Sequence, residues 1–191
     1  MKIFNVGDHA VNQYLLVSGT HRLLIDSGFP GSINRLGREM RKTGFRVSEI
    51  DFLMVTHFHV DHAGAIQELK NQNVKFVLFE VQEKFISSME DMTAGKWQYT
   101  PLKPDDNIVL SLEKSRGFLQ SIGIWGEVVS TPGHSDDSIS LVLDSGECFI
   151  GDLYAEHLLT EKDFEQKQSW LKLKQAGVKE IFPGYGNCYK I

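Results

Sequence analysis

The chain has 191 residues, 41% of them hydrophobic and 24% charged, with a formal net charge of −5. This length supplies one domain with a sizeable core, so we expect a single domain over residues 1–191. The acidic balance and the lack of a basic stripe argue against nucleic acid as a partner. No run approaches the roughly 18 apolar residues of a membrane span, and the first residues lack the apolar core of a signal peptide. We therefore expect no membrane partner and a cytoplasmic location.

Strands and helices are predicted to alternate along the chain. Apolar and β-branched runs predict strands at residues 2–6, 13–18, 22–26, 52–55, 75–79, 107–110, 127–130, 138–143, 147–150 and 180–182. Helical spacing and capping residues predict helices at residues 32–43, 63–70, 81–89, 112–120 and 160–176. Ser32 is expected to cap the first helix, and Thr160 with Asp163 is expected to form a capping box for the last. A loop at residues 7–9, a turn at 19–20 and a hairpin turn at 144–146 complete the pattern.

Periodicity is lost over residues 90–106, which predicts a loop or a broken helix there. Trp97 and Tyr99 lie in this stretch, and they either form a wall for a substrate or cover a small satellite core. The two cysteines are Cys148, in an apolar run, and Cys188, near the end of the sequence. A protein of this size needs no disulfide between them.

Four potential metal ligands follow the predicted strand at residues 52–55: His57, His59, Asp61 and His62. On an extended chain, residues two apart point to the same side, so His57 and His59 suit one cation. Asp61 and His62 can then face a neighbouring cation. The alternative is a polar loop whose histidines only cap a helix, but four such groups on a tight turn repel or compete unless a cation gathers them.

The pattern His57-x-His59-x-Asp61-His62 resembles the signature of the metallo-β-lactamase-fold superfamily. The resemblance continues through two further segments, residues 130–135 (Ser-Thr-Pro-Gly-His-Ser) and residues 149–152 (Phe-Ile-Gly-Asp), in the family's order along nearly the whole chain. It implies an α/β (α+β) fold, a four-layer αββα sandwich with a metal site at one edge of its sheets. It also implies that Asp26 accepts hydrogen bonds next to the metal loop, although an Asx-type turn after a strand explains the same residue equally well.

The resemblance further implies a set of ligands and two bound ions. The ligands are His57, His59 and His134 for the first metal, Asp61 and His62 for the second, and Asp152 bridging both. The implied metal is zinc, with iron or manganese as alternatives.

The sequence departs from the family at one ligand position. The family usually supplies a last histidine to the second metal from a turn after the final strand, and here that turn carries Tyr185. The pKa of a phenol is ordinarily near 10, but a nearby dication favours the phenolate. Tyr185 is therefore an oxygen ligand, or a hydrogen-bond donor to a bound water or substrate, or a residue that only fills the gap and leaves the second site weak.

The implied activity is hydrolysis of a small molecule, with a metal-bound hydroxide attacking an ester, thioester, lactone or related bond. Asp61 would orient the water or move its proton to the leaving group, which makes it a candidate catalytic residue together with Tyr185. Two alternatives stay open: a mononuclear iron oxygenase of the persulfide-dioxygenase type, using His57, His134 and Asp152, and a non-catalytic member that binds a metal or ligand. The sequence does not indicate the oligomeric state.

Overall fold

The computed structural model describes residues 1–8, 10–19 and 21–191. They form two compact units, Met1–Leu110 and Ser111–Ile191, each built around one β-sheet. The predicted loop at residues 7–9 and the predicted turn at residues 19–20 include His9 and Thr20, which lie outside the described residues. The expectation of a single domain over residues 1–191 stays a prediction.

The first unit contains a six-stranded sheet whose strands follow one another in chain order. The strands are β1 (Lys2–Asn5), β2 (Tyr14–Ser18), β3 (His21–Ile25), β4 (Phe52–Met54), β5 (Lys75–Phe79) and β6 (Ile108–Leu110). Strands β1 to β3 pair antiparallel, whereas β3 to β6 pair parallel. The parallel connections carry the helices, which are α1 (Ile33–Lys42), α2 (Val60–Ala63), α3 (Ile66–Lys70) and α4 (Phe85–Thr93).

The core of this unit joins the sheet to its helices. Leu24 and Leu53 from the strands are buried against Leu36 and Met40 from α1, in one cluster that also includes Leu69 from α3. Near-continuous apolar strands of this kind are typical of parallel sheets, because such strands lose their contact with water. The polar residues after β4 therefore begin where a buried strand ends.

The second unit contains a five-stranded sheet in the order β11-β10-β9-β8-β7. Its strands are β7 (Gly126–Ser130), β8 (Ile139–Leu143), β9 (Glu147–Gly151), β10 (Glu180–Pro183) and β11 (Tyr189–Lys190), and its helices are α5 (Ser115–Ser121) and α6 (Phe164–Gln175). Strands β9 and β10 pair parallel, and the other neighbours pair antiparallel. Trp170 and Leu173 of α6 are buried in the same cluster as Cys148 and Ile150 of β9.

The ten predicted strands are confirmed, each within one residue of its expected bounds. The two-residue strand β11 was missed, because a pair of residues carries no periodicity. The hairpin through residues 144–146 is confirmed by the antiparallel pairing of β8 and β9. No disulfide joins Cys148 and Cys188 in the described part of the chain. No described helix has the length and apolar character of a membrane span.

One helix prediction, at residues 63–70, was wrong because a turn interrupts it. The helix α2 ends at Ala63 and α3 begins at Ile66. Gly64 sits so close to the preceding loop that a Cβ there would lie 2.4 Å from Pro30 Cδ. The N–H of Ala65 donates to the carbonyl of Gly28, which takes it out of the helical ladder.

The predicted helix at residues 81–89 is also displaced, since a 3₁₀ turn spans Glu80–Gln82 and α4 begins only at Phe85. The buried Gln82 side chain explains the shift, because its amide donates to the carbonyl of Val55 at 3.1 Å. This bond fixes the chain after β5 against the end of β4 and delays the helix.

Both capping predictions were wrong. Ser32 precedes α1, but its side chain makes no capping hydrogen bond. The last helix begins at Phe164, with Asp163 rather than Thr160 as the residue before it. The carboxylate of Asp163 accepts from the N–H and the hydroxyl of Thr160, so this pair shapes a turn ahead of the helix.

Candidate metal centre

The histidine motif of the first unit lies where β4 ends and α2 begins. His57 is fully buried, and His59 is the extended residue that precedes α2. Nε2 of His57 lies 3.0 Å from Nδ1 of His59. Two nitrogens bound to one tetrahedral zinc ion at about 2.0–2.1 Å would lie roughly 3.3 Å apart, so this pair is close to the spacing that one cation requires.

Asp26 anchors this motif from the neighbouring strand. Its carboxylate is 2% exposed and accepts the backbone N–H of Thr56 at 2.7 Å and the Thr56 hydroxyl at 3.0–3.1 Å. Its Oδ2 also lies 2.8 Å from Nδ1 of His62. Asp26 has a φ of 65°, in the left-handed region that aspartate tolerates better than most residues. The expected role of Asp26 as a hydrogen-bond acceptor beside the histidine motif is therefore confirmed.

These bonds decide which ring nitrogen of each histidine carries a proton. The single proton of the Thr56 hydroxyl goes to Asp26, so its 3.1 Å contact with His57 is a bond donated by Nδ1–H of His57. In the same way, the Asp26 carboxylate accepts Nδ1–H of His62. Both rings then carry their lone pair on Nε2, the form in which an imidazole binds a metal. Thr56 was missed in the sequence, although a hydroxyl directly before the motif is a signal that could have identified it.

The second pair of predicted ligands also converges. Nε2 of His62 lies 3.4 Å from Oδ2 of Asp61, and the Asp61 side chain is 15% exposed whereas the His62 side chain is fully buried. The hydroxyl of Ser27 donates to the carbonyl of His62 at 2.9 Å and accepts the N–H of Ala65 at 3.0 Å. The turn after β3 thus holds the end of α2 and the residues that follow it.

In the second unit, a tight turn after β7 presents His134. Gly133 has a φ of 131°, and a Cβ on it would lie 2.3 Å from Cγ of Gln166 on α6. The hydroxyl of Ser169, also on α6, donates to the carbonyl of Pro132 at 2.8 Å. The rigid turn expected before His134 is confirmed, and its contacts with α6 have no signal in the local sequence.

His134 and Asp152 come together within this unit. Nε2 of His134 lies 3.5 Å from Oδ2 of Asp152, which follows β9 directly. The amide of Gly184 donates to the carbonyl of Gly151 at 2.7 Å, so the turn after β10 is held against the end of β9. This bond brings the turn that carries Tyr185 to the same edge of the sheet.

Tyr185 and both predicted ligands of the second unit line one cavity of about 430 Å³. The Tyr185 side chain is 49% exposed. Tyr154 lines the cavity as well, and its ring centroid lies 6.1 Å from that of His134. The position of Tyr185 is compatible with either of the active roles that the sequence leaves open.

Trp97 and Tyr99 differ in their surroundings. Tyr99 packs against the core of the first unit, and its hydroxyl donates to Glu90 at 3.1 Å. Burial, together with the Glu90 charge, raises the pKa of Tyr99 well above its usual range. Trp97 remains 47% exposed, with its ring 5.3 Å from that of Phe29. Tyr99 thus covers part of the main core of the first unit rather than a separate satellite core, and Trp97 stays largely exposed.

The donor groups present fit the metal ions that the resemblance implies. Imidazole nitrogens and carboxylates are borderline and hard donors of the kind that zinc, iron and manganese accept. Two histidines of the first unit, His57 and His62, also have their tautomers fixed toward Nε2, which is the arrangement of metal-binding imidazoles. The assignment of individual residues as ligands stays a prediction.

Comparisons with known proteins identify the family. The family model described as the Metallo-beta-lactamase superfamily matches residues 6–185. A protein of Drosophila melanogaster named "Beta-lactamase-like protein 2 homolog" is 31% identical over 181 residues, which cover 92% of this chain and 58% of that protein. A protein of Methanocaldococcus jannaschii named "Probable metallo-hydrolase" is 25% identical over 93% of this chain and 88% of its own length. An "Atrochrysone carboxyl ACP thioesterase" of Aspergillus fumigatus is 30% identical over 92% of this chain and 50% of its own length.

Solved structures support the same conclusion at the level of the fold. A metallo-beta-lactamase family protein of Thermus thermophilus matches with a TM-score of 0.73 and 18% identity, over 99% of this chain and 74% of that protein. The expected fold class, a mixed α/β protein of the metallo-β-lactamase type with two sheets, is therefore confirmed. Since the family model spans nearly the whole sequence, the chain belongs to the metallo-β-lactamase superfamily.

Proposed function

We propose that this protein is a metal-dependent hydrolase that cleaves an ester, thioester, lactone or related bond in a small molecule. The observation that carries the proposal is the buried network from Asp26 to His57 and His62, which places a proton on Nδ1 of both rings and leaves each Nε2 able to bind a metal. Such a network has a clear use beside bound cations. Membership of the superfamily, and relatives named as a metallo-hydrolase and a thioesterase, support the reaction class.

The proposed centre holds two zinc ions. Its proposed ligands are His57, His59 and His134 for one ion, Asp61 and His62 for the other, and Asp152 for both. Bound divalent cations would polarise the bond under attack and lower the pKa of a coordinated water to near 7.

The chain's own residues supply orientation and proton transfer. Asp61 is the one carboxylate of the motif, and it has partial access to solvent, so it can accept a proton from the attacking water and pass it to the leaving group. Asp26 and Thr56 are positioning residues, because they act through the histidines and are buried away from solvent. Tyr185 lines the cavity beside Asp152 and is proposed to donate a hydrogen bond to substrate or to bind a cation through oxygen.

One of the named relatives bears on the substrate class. The thioesterase relative supports thioesters. The chain covers only 58% and 50% of the Drosophila and Aspergillus relatives, so the activity of those whole proteins transfers only as a proposal. A cytoplasmic location, and the lack of nucleic-acid and membrane partners, stay part of this proposal.

A second candidate function follows from Tyr185. If a tyrosine at this position abolishes the second cation site, one iron ion held by His57, His134 and Asp152 would suit an oxygenase of the persulfide-dioxygenase type. The two candidates differ in the number and identity of bound metals.

Elemental analysis of protein purified without chelator tests this proposal. We expect about two zinc ions per chain in the wild type, and hydrolysis of generic esters and thioesters. The variant Tyr185→His restores the residue usual in the family, and Tyr154→His is a matched control that adds a histidine elsewhere on the same cavity. About one iron per chain, unchanged when zinc is offered, would overturn the hydrolase. One zinc that rises to two only in Tyr185→His would overturn the two-metal centre of the natural protein.

A further inference from the structure

The cavity beside His134 and Asp152 is lined mainly by apolar and aromatic side chains. Its volume is about 430 Å³, within the range of cavities that bind small molecules. Apart from Asp152 and His134, its lining consists of glycine, alanine, leucine, proline, tyrosine and asparagine, and none of the described lining residues is lysine or arginine. A phosphate or carboxylate group on a substrate would find no lysine or arginine here to replace its hydration.

Large apolar side chains at this cavity remain open to solvent. Leu158 is 65% exposed and Tyr154 is 54% exposed. Both line the cavity, and Tyr185 with 49% exposure lines it as well. A single exposed leucine on a protein surface is common and needs no explanation. Several exposed apolar side chains grouped in one cavity, next to His134 and Asp152, indicate instead a site that binds an apolar group.

The lining changes character at Tyr189. This residue lines the first cavity and also a second one of about 540 Å³, whose other lining residues include Glu156, His157 and Lys174. The Tyr189 ring packs against the apolar cluster of the second unit. Tyr189 therefore marks the point at which the apolar lining gives way to charged side chains.

We propose that the cavity beside His134 and Asp152 binds the uncharged acyl or aryl group of the substrate, and that Leu158 and Tyr154 form its apolar wall. The substrate is then a neutral apolar ester, thioester or lactone rather than a phosphorylated or carboxylated one. This inference rests on the proposed hydrolase function. Two observations support this substrate group. The described lining contains no lysine or arginine, and the cavity includes the predicted ligands His134 and Asp152.

Kinetics with a series of p-nitrophenyl esters, from acetate through butanoate and hexanoate to octanoate, tests the inference. We expect kcat/KM of the zinc-loaded protein to rise by up to about fourfold for each added methylene that the cavity buries. Leu158→Glu should lower kcat/KM for octanoate about tenfold more than for acetate, because the charged side chain keeps water in the cavity. Leu171→Glu is the matched control, since Leu171 is 49% exposed and lies outside this lining.

The outcomes separate this inference from the proposed function. A series that is flat in the wild type, or that responds equally to Leu158→Glu and Leu171→Glu, would overturn the apolar acyl site while leaving hydrolysis intact. If no ester is cleaved, the hydrolase proposal fails. Binding of the neutral fluorescent probe N-phenyl-1-naphthylamine then tests, without any catalysis, whether the cavity binds an apolar molecule. Probe binding that is weakened by Leu158→Glu but not by Leu171→Glu would support an apolar site. Equal probe binding by the two variants would overturn it.

Discussion

Replacing Asp26 with asparagine should damage one metal site far more than the other. The asparagine oxygen can keep both bonds from Thr56, which Asp26 accepts at 2.7 Å and 3.0–3.1 Å. The amide NH₂ must then face Nδ1 of His62, where the carboxylate now accepts a proton at 2.8 Å. To accept from that NH₂, the His62 ring has to move its own proton to Nε2, which removes the lone pair that would bind a cation.

The size of the effect follows from the partner that is lost. Removing the group that orients a metal-binding histidine typically costs about 10–100-fold in metal affinity, or roughly 1.4–2.7 kcal/mol. Asp26 is 2% exposed, so losing a hydrogen bond to its charge should also lower the free energy of unfolding of the metal-free protein by about 1.5–3 kcal/mol. His57 keeps its bond to Thr56, so the site that includes His57 should change much less.

Zinc competition with a chromogenic chelator measures the two affinities, and ¹⁵N NMR of the imidazole nitrogens reports the tautomer of His62. The matched control is Thr56→Val, which removes the hydroxyl between Asp26 and His57 but leaves the bond from His62 to Asp26. It should weaken the site that includes His57 and spare the other. Unchanged zinc affinities in Asp26→Asn, with His62 still protonated on Nδ1, would refute the reasoning.

Two further predictions concern the turn before His134 and the partly buried carboxyl of Glu68 on α3. Gly133→Ala should lower the free energy of unfolding by about 1–3 kcal/mol, because the new Cβ would collide with Gln166 and because a φ of 131° strains any residue other than glycine. Denaturant titration measures the loss. The control is Gly117→Ala, which should not destabilise the protein because a Cβ there meets no neighbouring atom. Burial raises the pKa of Glu68, and the hydrogen bond from the N–H of Gly31 lowers it by less. The carboxyl therefore holds its proton more tightly in the folded protein than in the unfolded chain, where it ionises near pH 4.5. The wild type thus loses stability as the pH rises above about 4.5. The free energy of unfolding of Glu68→Gln should therefore rise relative to that of the wild type between about pH 4 and pH 7. The gain should stay below about 1 kcal/mol because the carboxyl is partly exposed. Urea titrations measure this difference, and a difference that shrinks with rising pH would contradict the prediction.

The sequence by itself determined the strands and the motif. Apolar runs are long enough to mark every strand except β11, because burial selects apolar residues along the whole length of a strand. The cluster from His57 to His62 was visible because its four polar groups are neighbours in the chain. The neighbouring residues Pro132 and Gly133 likewise predicted a tight turn in front of His134, and Gly133 does adopt a positive φ.

Other features depended on contacts between residues far apart in the sequence. The helix expected at residues 63–70 is broken because Gly64 packs against Pro30 and Ala65 bonds to Gly28. Helical spacing alone gives no warning of either contact. The displaced start of α4 has the same kind of cause, since Gln82 bonds to Val55, whereas the late start of α6 is set locally by Thr160 and Asp163.

The histidine tautomers were decided by tertiary structure alone. Asp26 is 36 residues from His62, and only the parallel register that pairs Ile25 with Met54 brings its carboxylate beside Thr56 and the motif. The sequence could name Asp26 as a candidate acceptor but could not distinguish this role from a simple turn. A side chain's hydrogen-bond partner is set by which strands pair and in which register, and the register is fixed only when the apolar residues of several strands are buried together in one sheet.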